Sequence, residues 1–140
     1  MSSEAAGTFT LEHARAVLAA QPFAEIVGGE LTEFGEGRAE LCIPLEQRHQ
    51  QQDGVAHGGV ISYAADNVLT FAAGAAVGPA VWTAGYSIDY LSPVLGDELI
   101  ARGQTVRAGS RLITVRAELF DRRDGAEHLC AVAQGTVARR

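Results

Sequence analysis

Residues 57–77, HGGVISYAADNVLTFAAGAAV, hold the side chains best suited to chemistry. The stretch is almost wholly apolar or small, and Asp66 is its only formally charged residue. At helical spacing Ser62, Asp66 and Thr70 lie at i, i+4 and i+8, so they share one face. A helix that is apolar nearly all round is expected to be buried, where a carboxylate costs free energy unless it is hydrogen-bonded. Asp66 is therefore a candidate site residue; the alternative is that it caps a loop or faces water.

The start of this helix is suited to holding an oxyanion. Gly58 and Gly59 let a ligand or another backbone come close, and the first N–H groups of a helix lack intrahelical partners at the positive end of its dipole. An acyl carbonyl bound there would present its carbon to Asp66, or to a water held by that carboxylate and oriented by Thr70. Two structural alternatives stay open: the glycines only permit tight helix–sheet packing, and His57 only caps or braces the loop.

Common catalytic and cofactor motifs are absent. Ser62 is not in a GxSxG nucleophile elbow, and the chain has neither GxxxxGK[ST] nor GxGxxG. The four histidines, at positions 13, 49, 57 and 128, have no paired metal-ligand spacing. We therefore expect no metal and no cofactor.

Composition indicates one globular domain, residues 1–140, with residues 1–7 as a flexible tail. Hydrophobic residues make up 47% of the chain, and the net charge of −6 argues against nucleic-acid binding. The charge is uneven: residues 1–80 hold 3 Arg against 10 acids, whereas residues 81–140 hold 8 Arg against 7 acids. Because every basic residue is Arg, which binds phosphate through a planar fork, the second half is the better place for an anionic ligand.

The sequence favours a cytoplasmic location. Cys42 and Cys130 are far apart and form no CxxC pair, as expected of reduced strand residues. The N-terminus has no signal-peptide pattern. Residues 58–81 are long enough to span a membrane, but a central acid, several polar residues and four glycines argue against insertion.

Periodicity predicts a short helix, one long apolar helix and some five strands, mostly in hairpin order. The first helix, 11–20, would be capped by Thr8 or Thr10 and stopped by Gln21-Pro22. The long helix, 59–77, would end at Gly78-Pro79. Strands are predicted at 26–34, with a bulge at Gly28-Gly29, and at 38–43, 82–90, 98–107, 112–120 and 128–137.

Alternation along these strands gives the expected inward faces. In the strand at 82–90, Trp82, Ala84, Tyr86, Ile88 and Tyr90 face one way. The other inward sets are Ala39, Leu41 and Ile43; Leu99, Ala101 and Gly103; Ile113, Val115, Ala117 and Leu119; and Leu129, Ala131, Ala133 and Val137. The pattern indicates an α+β fold in which an antiparallel sheet curls around one long helix. Several strands also carry bulky residues on the opposite face, so the outer face or an edge is expected to meet another subunit.

One combination of residues resembles a known family. Gln51-x-x-Gly54-x-x-His57-Gly58-Gly59 followed by Asp66 and Thr70 is similar to the signature of hotdog-fold acyl-CoA thioesterases. The closest resemblance is to the phenylacetic-acid-degradation type, grouped with the 4-hydroxybenzoyl-CoA thioesterase family. It runs from Gln21 to the last strand and includes SIDYLSPV at 87–94.

The resemblance implies roles for five residues. Asp66 would be the catalytic carboxylate, as base or nucleophile, and the Gly59 N–H would polarise the thioester carbonyl. Gln51 would contact the carbonyl region, His57 would support the loop and thioester, and Thr70 would assist the water.

The resemblance also implies an assembly and a substrate. The family forms its sites between two subunits, which implies a homodimer or homotetramer. Coenzyme A phosphates would lie on exposed arginines, with Arg107, Ser110 and Arg111 as candidates. Small residues along the helix leave room for a bulky or aromatic acyl group: Ala64, Ala72, Ala73, Gly74 and Ala76.

Two other classes remain open. A hotdog hydratase or dehydratase would need a different pairing of His with Asp or Glu. A non-catalytic acyl-CoA-binding or subunit-assembly domain would need no catalytic carboxylate.

Overall fold

A computed structural model of the chain describes residues 9–140. The expected tail at 1–7 and the alternative cap Thr8 lie outside the described residues. The helices are α1 (Leu11–Ala19), α2 (Pro22–Val27) and α3 (Gly58–Val77), with a short 3-10 helix at Gln47–His49. The strands are β1 (Glu30–Gly35), β2 (Arg38–Pro44), β3 (Val81–Tyr90), β4 (Glu98–Ala108), β5 (Leu112–Arg123) and β6 (Ala126–Arg139).

The long helix α3 is the core around which the sheet curls, as predicted. It begins one residue earlier than expected, after the N-cap His57, and ends at Gly78, whose φ of 98° suits glycine. Among the described residues, α3 is the one helix long and apolar enough to cross a membrane, and 50% of its most apolar window is buried inside the fold. Its apolar character therefore serves the core.

All six strands form one antiparallel sheet in the order β1-β2-β4-β5-β6-β3. The last three strands in sequence make a meander, and β3 pairs with β6 instead of with β4, its neighbour in sequence. β1 and β3 are consequently the edge strands. The architecture confirms the predicted hotdog layout, an antiparallel sheet around one helix.

The strand predicted at 26–34 is wrong in its first half. Residues Pro22–Val27 form the helix α2, with Pro at its first position and Gly28 as its C-cap. Both Gly28 and Gly29 have positive φ, 86° and 115°, so they make a connection and not the expected bulge. Pro22 stops α1 as predicted, but its fixed φ also starts the next helix.

Two inward faces differ from the predicted alternation. In β3, Trp82 and Ala84 are exposed, whereas Thr83 between them is half-buried, because the register shifts between Thr83 and Gly85. In β6, Leu129 is 40% exposed, and a register shift interrupts its pairing with β5. One extra residue in a strand moves the following side chains to the other face.

The outer face of the sheet carries ion pairs beside the bulky residues that were predicted there. Leu112 is exposed and Phe120 half-buried there, but the Arg102 guanidinium covers the Phe120 ring at 5.0 Å. Arg102 also bonds Glu40 at 2.7 Å and pairs with Glu127 at 2.7 Å, and it lowers the pKa of the Glu127 carboxyl to about 2. Ionic contacts therefore link β2, β4 and β6 across this face.

The helix packs on the sheet most closely at Gly103. A Cβ added there would meet the Val68 carbonyl oxygen at 2.7 Å and the Ala72 Cβ at 3.3 Å. We predict that Gly103→Ala lowers the free energy of unfolding by about 1–3 kcal/mol, because the helix would have to move away. Urea denaturation measures this.

Gly85→Ala is the control for this prediction, because an added Cβ at Gly85 meets nothing within 4 Å. Equal stability of the Gly103→Ala and Gly85→Ala variants would contradict the packing argument.

Candidate functional site

A cavity of about 700 Å³ lies along the polar face of α3. Ser62, Asp66 and Thr70 all line it, which confirms that they share one face. Gly59 lines it at the start of the helix. Six aromatic residues form part of its other walls: Phe9, Phe23, Tyr63, Phe71, Trp82 and Tyr86. Asp66 is the one carboxylate among the described residues that line this cavity.

The Asp66 carboxylate is held by a residue that the sequence motif does not contain. The Thr83 hydroxyl donates to Asp66 Oδ1 over 2.6 Å. The Thr70 hydroxyl lies 2.7 Å from the Thr83 hydroxyl and 2.9 Å from the Asp66 carbonyl oxygen. The Asn67 amide donates to the Tyr63 carbonyl and not to Asp66. The alternative in which Asp66 caps a loop therefore does not hold.

A second pair of hydroxyls lies one turn before Asp66. Ser62 Oγ and Tyr86 Oη are 2.5 Å apart, and Tyr86 also donates to the Ser62 carbonyl at 3.3 Å. Together with Thr83, these contacts form a polar seam between α3 and the edge strand β3. The sequence analysis missed Thr83 and this seam; the one signal that could have indicated them is Gly85, because a glycine inside a strand pattern often marks a bulge.

The Gly59 N–H, which was expected to bind an oxyanion, is hydrogen-bonded to the His57 imidazole. His57 is the N-cap of α3, and its Nδ1 accepts the Gly59 N–H over 2.7 Å. A Cβ at position 59 would meet this imidazole at 2.8 Å, so the contact requires glycine. The structural reading of His57 as a cap is confirmed, and an acyl oxygen would have to replace the imidazole to reach this N–H.

Gln51 lies apart from Asp66. It lines a second cavity of about 400 Å³ together with Gly58, Tyr90 and the loop that follows β3. Its side-chain oxygen accepts the Asp53 N–H at 2.9 Å. Within one chain the structure therefore brings together Asp66, Thr70 and Gly59, with His57 on the Gly59 N–H, but not Gln51.

The candidate coenzyme A residues lie at the end of β4 and in the turn that joins it to β5. Arg107, Ser110 and Arg111 are exposed, and neither arginine makes an ion pair within residues 9–140. They do not line the Asp66 cavity. Arg140 does line it, with its guanidinium 5.8 Å from the centre of the Trp82 ring.

The described residues do not form a metal-binding site. Across residues 9–140, no group of three or more His, Cys, Asp or Glu side chains is arranged to hold a metal ion.

Comparison with known proteins defines the family. The model of the Thioesterase superfamily matches residues 53–127, more than half of the chain. The protein therefore belongs to the thioesterase superfamily, and its fold is the hotdog fold.

Individual relatives agree with this family. A putative esterase from Haemophilus influenzae is 27% identical over 133 residues, covering 94% of each chain. The structure of a thioesterase family protein from Silicibacter pomeroyi matches with a TM-score of 0.85 and 28% identity, covering 89% of this chain and 93% of that one. The structure of a mutant of the phenylacetic acid degradation protein PaaI from Thermus thermophilus matches with a TM-score of 0.74 and 30% identity. The match covers 86% of this chain and 100% of that one. These similarities confirm the resemblance drawn from the sequence and support a hydrolase acting on thioesters.

Proposed function

We propose that the protein hydrolyses an acyl-CoA thioester to the free acid and coenzyme A. The observation that carries this proposal is the placement of Asp66, a carboxylate in an aromatic cavity with one oxygen held by Thr83. Aromatic walls suit the acyl group of such a substrate, because they exclude water and bury apolar surface.

The chemistry needs two groups from this chain. Asp66 either takes a proton from the attacking water or attacks the thioester carbon itself, forming an anhydride that water then cleaves. The Gly59 N–H stabilises the oxyanion once the acyl oxygen has replaced the His57 imidazole. The thiolate of coenzyme A leaves and takes up a proton.

A second subunit would complete the site. Gln51 and Asp66 line separate cavities in one chain, although the family motif uses both. β3 is a ten-residue edge strand with exposed Trp82 and Tyr90, and an uncovered edge of this kind is suited to pairing with another chain. We infer a homodimer or homotetramer in which Gln51 of one copy approaches Asp66 of another.

A cytoplasmic location is part of the proposal. Cys42 and Cys130 are both unpaired thiols, and Cys130 is buried with its pKa raised to about 11 by loss of solvent. Neither thiol is arranged for a disulfide, as a reducing compartment allows.

A non-catalytic acyl-CoA-binding protein is the second candidate. The observation in its favour is that His57 already occupies the Gly59 N–H. A hydratase or dehydratase is less well supported, because no histidine lines the Asp66 cavity within the described residues. Release of free thiol from aromatic, short and long acyl-CoAs separates a hydrolase from both, and it also identifies the acyl group.

Asp66→Asn tests the catalytic carboxylate. The amide keeps the size of the side chain and can still accept from Thr83, but it is neither base nor nucleophile. We predict that kcat for the best acyl-CoA falls at least about a hundredfold, while the melting temperature changes little. The control is Asp124→Asn, on an exposed turn whose φ of 51° asparagine also adopts. A near wild-type rate for Asp66→Asn would rule out the proposed mechanism.

Arg111→Ala tests the coenzyme A contact. If this exposed guanidinium binds phosphate equally in the ground and transition states, KM rises while kcat stays nearly constant. The increase should shrink at high salt. Arg116→Ala is the matched control, because that exposed arginine makes its side-chain hydrogen bonds within residues 9–140 to Gln134. If KM is unchanged in both Arg107→Ala and Arg111→Ala, the phosphate site lies elsewhere, and Arg140 is tested next.

Light scattering and subunit mixing test the assembly. We predict a dimer or tetramer at micromolar concentration; an active monomer would contradict the shared site. Asp66→Asn and Gln51→Ala chains, each with impaired activity alone, should on co-expression recover roughly a quarter of wild-type activity, since mixed dimers contain one intact site. No recovery over the two separate variants would show that each site lies within one subunit.

A further inference from the structure

Thr83 makes a direct, short contact to the candidate catalytic carboxylate. Its hydroxyl donates to Asp66 Oδ1 over 2.6 Å, within the range for a hydroxyl bonded to an ionised carboxylate. Both Thr83 and Asp66 line the aromatic cavity and are only half-buried. The contact therefore lies where the chemistry is proposed and not in the packed interior.

The number of hydroxyl protons shows which groups donate in the contacts among Thr70, Thr83 and Asp66. Each threonine hydroxyl has one proton to donate, and that of Thr83 is used on Asp66 Oδ1. The 2.7 Å contact between the two threonines must therefore use the Thr70 proton, for which the Asp66 carbonyl oxygen at 2.9 Å is the other acceptor. The Thr83 proton is thus committed to the carboxylate, whereas the Thr70 proton has two acceptors, the Thr83 hydroxyl and the Asp66 carbonyl oxygen.

The second carboxylate oxygen is left for other partners. Within residues 9–140, Asp66 Oδ2 accepts no hydrogen bond. The carboxylate thus has one oxygen fixed by the protein and one without an intramolecular partner. This asymmetry is what a base or nucleophile with a defined reacting atom requires.

The backbone of β3 is shaped to place Thr83 here. Thr83 pairs with Val137 and Gly85 with Thr136, so Ala84 is an extra residue without a partner, as in a bulge. Without it, continuous alternation from Tyr86 would turn Ala84 towards the helix and Thr83 away. The bulge brings the hydroxyl to Asp66.

The neighbouring strand accommodates this shape. A Cβ at Gly135 in β6 would meet the Tyr86 Cβ at 2.5 Å and the Gly85 carbonyl oxygen at 2.6 Å. Only glycine permits β3 to lie this close immediately after the bulge. The approach of β6 and the extra residue in β3 are thus matched to each other.

We propose that Thr83 is a positioning residue for Asp66: it anchors Oδ1 and leaves Oδ2 as the oxygen that reacts. The Thr70 hydroxyl lies beside this anchor, 2.7 Å from the Thr83 hydroxyl. The proposal rests on the proposed function for its chemistry, whereas its geometric part can be tested without activity.

Steady-state kinetics of Thr83→Val test the chemical part. Valine keeps the shape but cannot donate, so kcat should fall roughly tenfold to a hundredfold, the value of a hydrogen bond to a charged group. KM should change less than about twofold, because the anchored oxygen matters in the transition state. Thr83→Ser, which keeps the hydroxyl, should restore most of the rate. Thr114→Val, at a half-buried threonine without a contact to Asp66, should equal wild type.

A double variant separates positioning from direct catalysis. If Thr83 acts through Asp66, Thr83→Val should lower the residual rate of Asp66→Asn less than about twofold. If Thr83→Val lowered the rate of the Asp66→Asn variant as much as it lowers the wild-type rate, the proposal would be overturned, because Thr83 would then act on the substrate itself. A wild-type kcat for Thr83→Val, with Asp66→Asn inactive, would overturn it while leaving the proposed function intact.

Crystal structures supply the readout that does not depend on activity. The Asp66 carboxylate should turn away from its wild-type orientation in Thr83→Val and keep it in Thr83→Ser. An unchanged orientation in Thr83→Val would overturn the positioning role, whether or not any thioester is cleaved. If the carboxylate turns but wild type releases no thiol from the acyl-CoA panel, the positioning role stands and the proposed function fails.

Discussion

The site is organised around one half-buried carboxylate on an otherwise apolar helix. Asp66 lies on α3, whose other faces are buried in the curled sheet, and a carboxylate in such a place is costly unless it is hydrogen-bonded. The partner comes from β3, through the Thr83 hydroxyl. A bulge in β3 turns this residue inward, and β3 is an edge strand, so the site lies next to an edge of the sheet that no other strand of the described chain covers.

The same edge links chemistry to assembly. One side of β3 is bonded to β6, and its other side has no strand beside it in the chain described here. The cavity that contains Asp66 lies against this strand, whereas Gln51 lines a different cavity near the start of α3. A second copy that pairs along β3 would cover the exposed Trp82 and Tyr90 and bring a second helix start towards the first carboxylate. Covering the edge and completing the site would then be one event.

The sequence predicts the features that follow from a periodic pattern over many residues, and it misses those set by a single residue or a distant strand. The long helix, the curled antiparallel sheet and the shared face of Ser62, Asp66 and Thr70 follow from local periodicity, which extends over many residues. The role of Thr83 does not, because strict alternation in β3 assigned the inward position to Trp82 and Ala84. Analysis of alternating residues cannot detect one extra residue in a strand. The position of that residue is set by pairing with β6, which is distant in sequence. The helix α2 was missed because Pro22 both stops one helix and starts the next.

The helix start illustrates how a structural cap and a catalytic donor can be the same group. In the described structure the Gly59 N–H donates to the His57 imidazole, so this donor already has a partner at the position where an oxyanion would bind. Losing a side-chain cap costs about 0.5–2 kcal/mol. One oxyanion donor is typically worth about 2.7–4 kcal/mol in the transition state. A neutral acyl oxygen is a weaker acceptor than an oxyanion, so its exchange with the imidazole gains little in the ground state and most in the transition state. On these magnitudes, capping by His57 is compatible with catalysis, because the interaction of the Gly59 N–H with an oxyanion exceeds the cost of losing the cap.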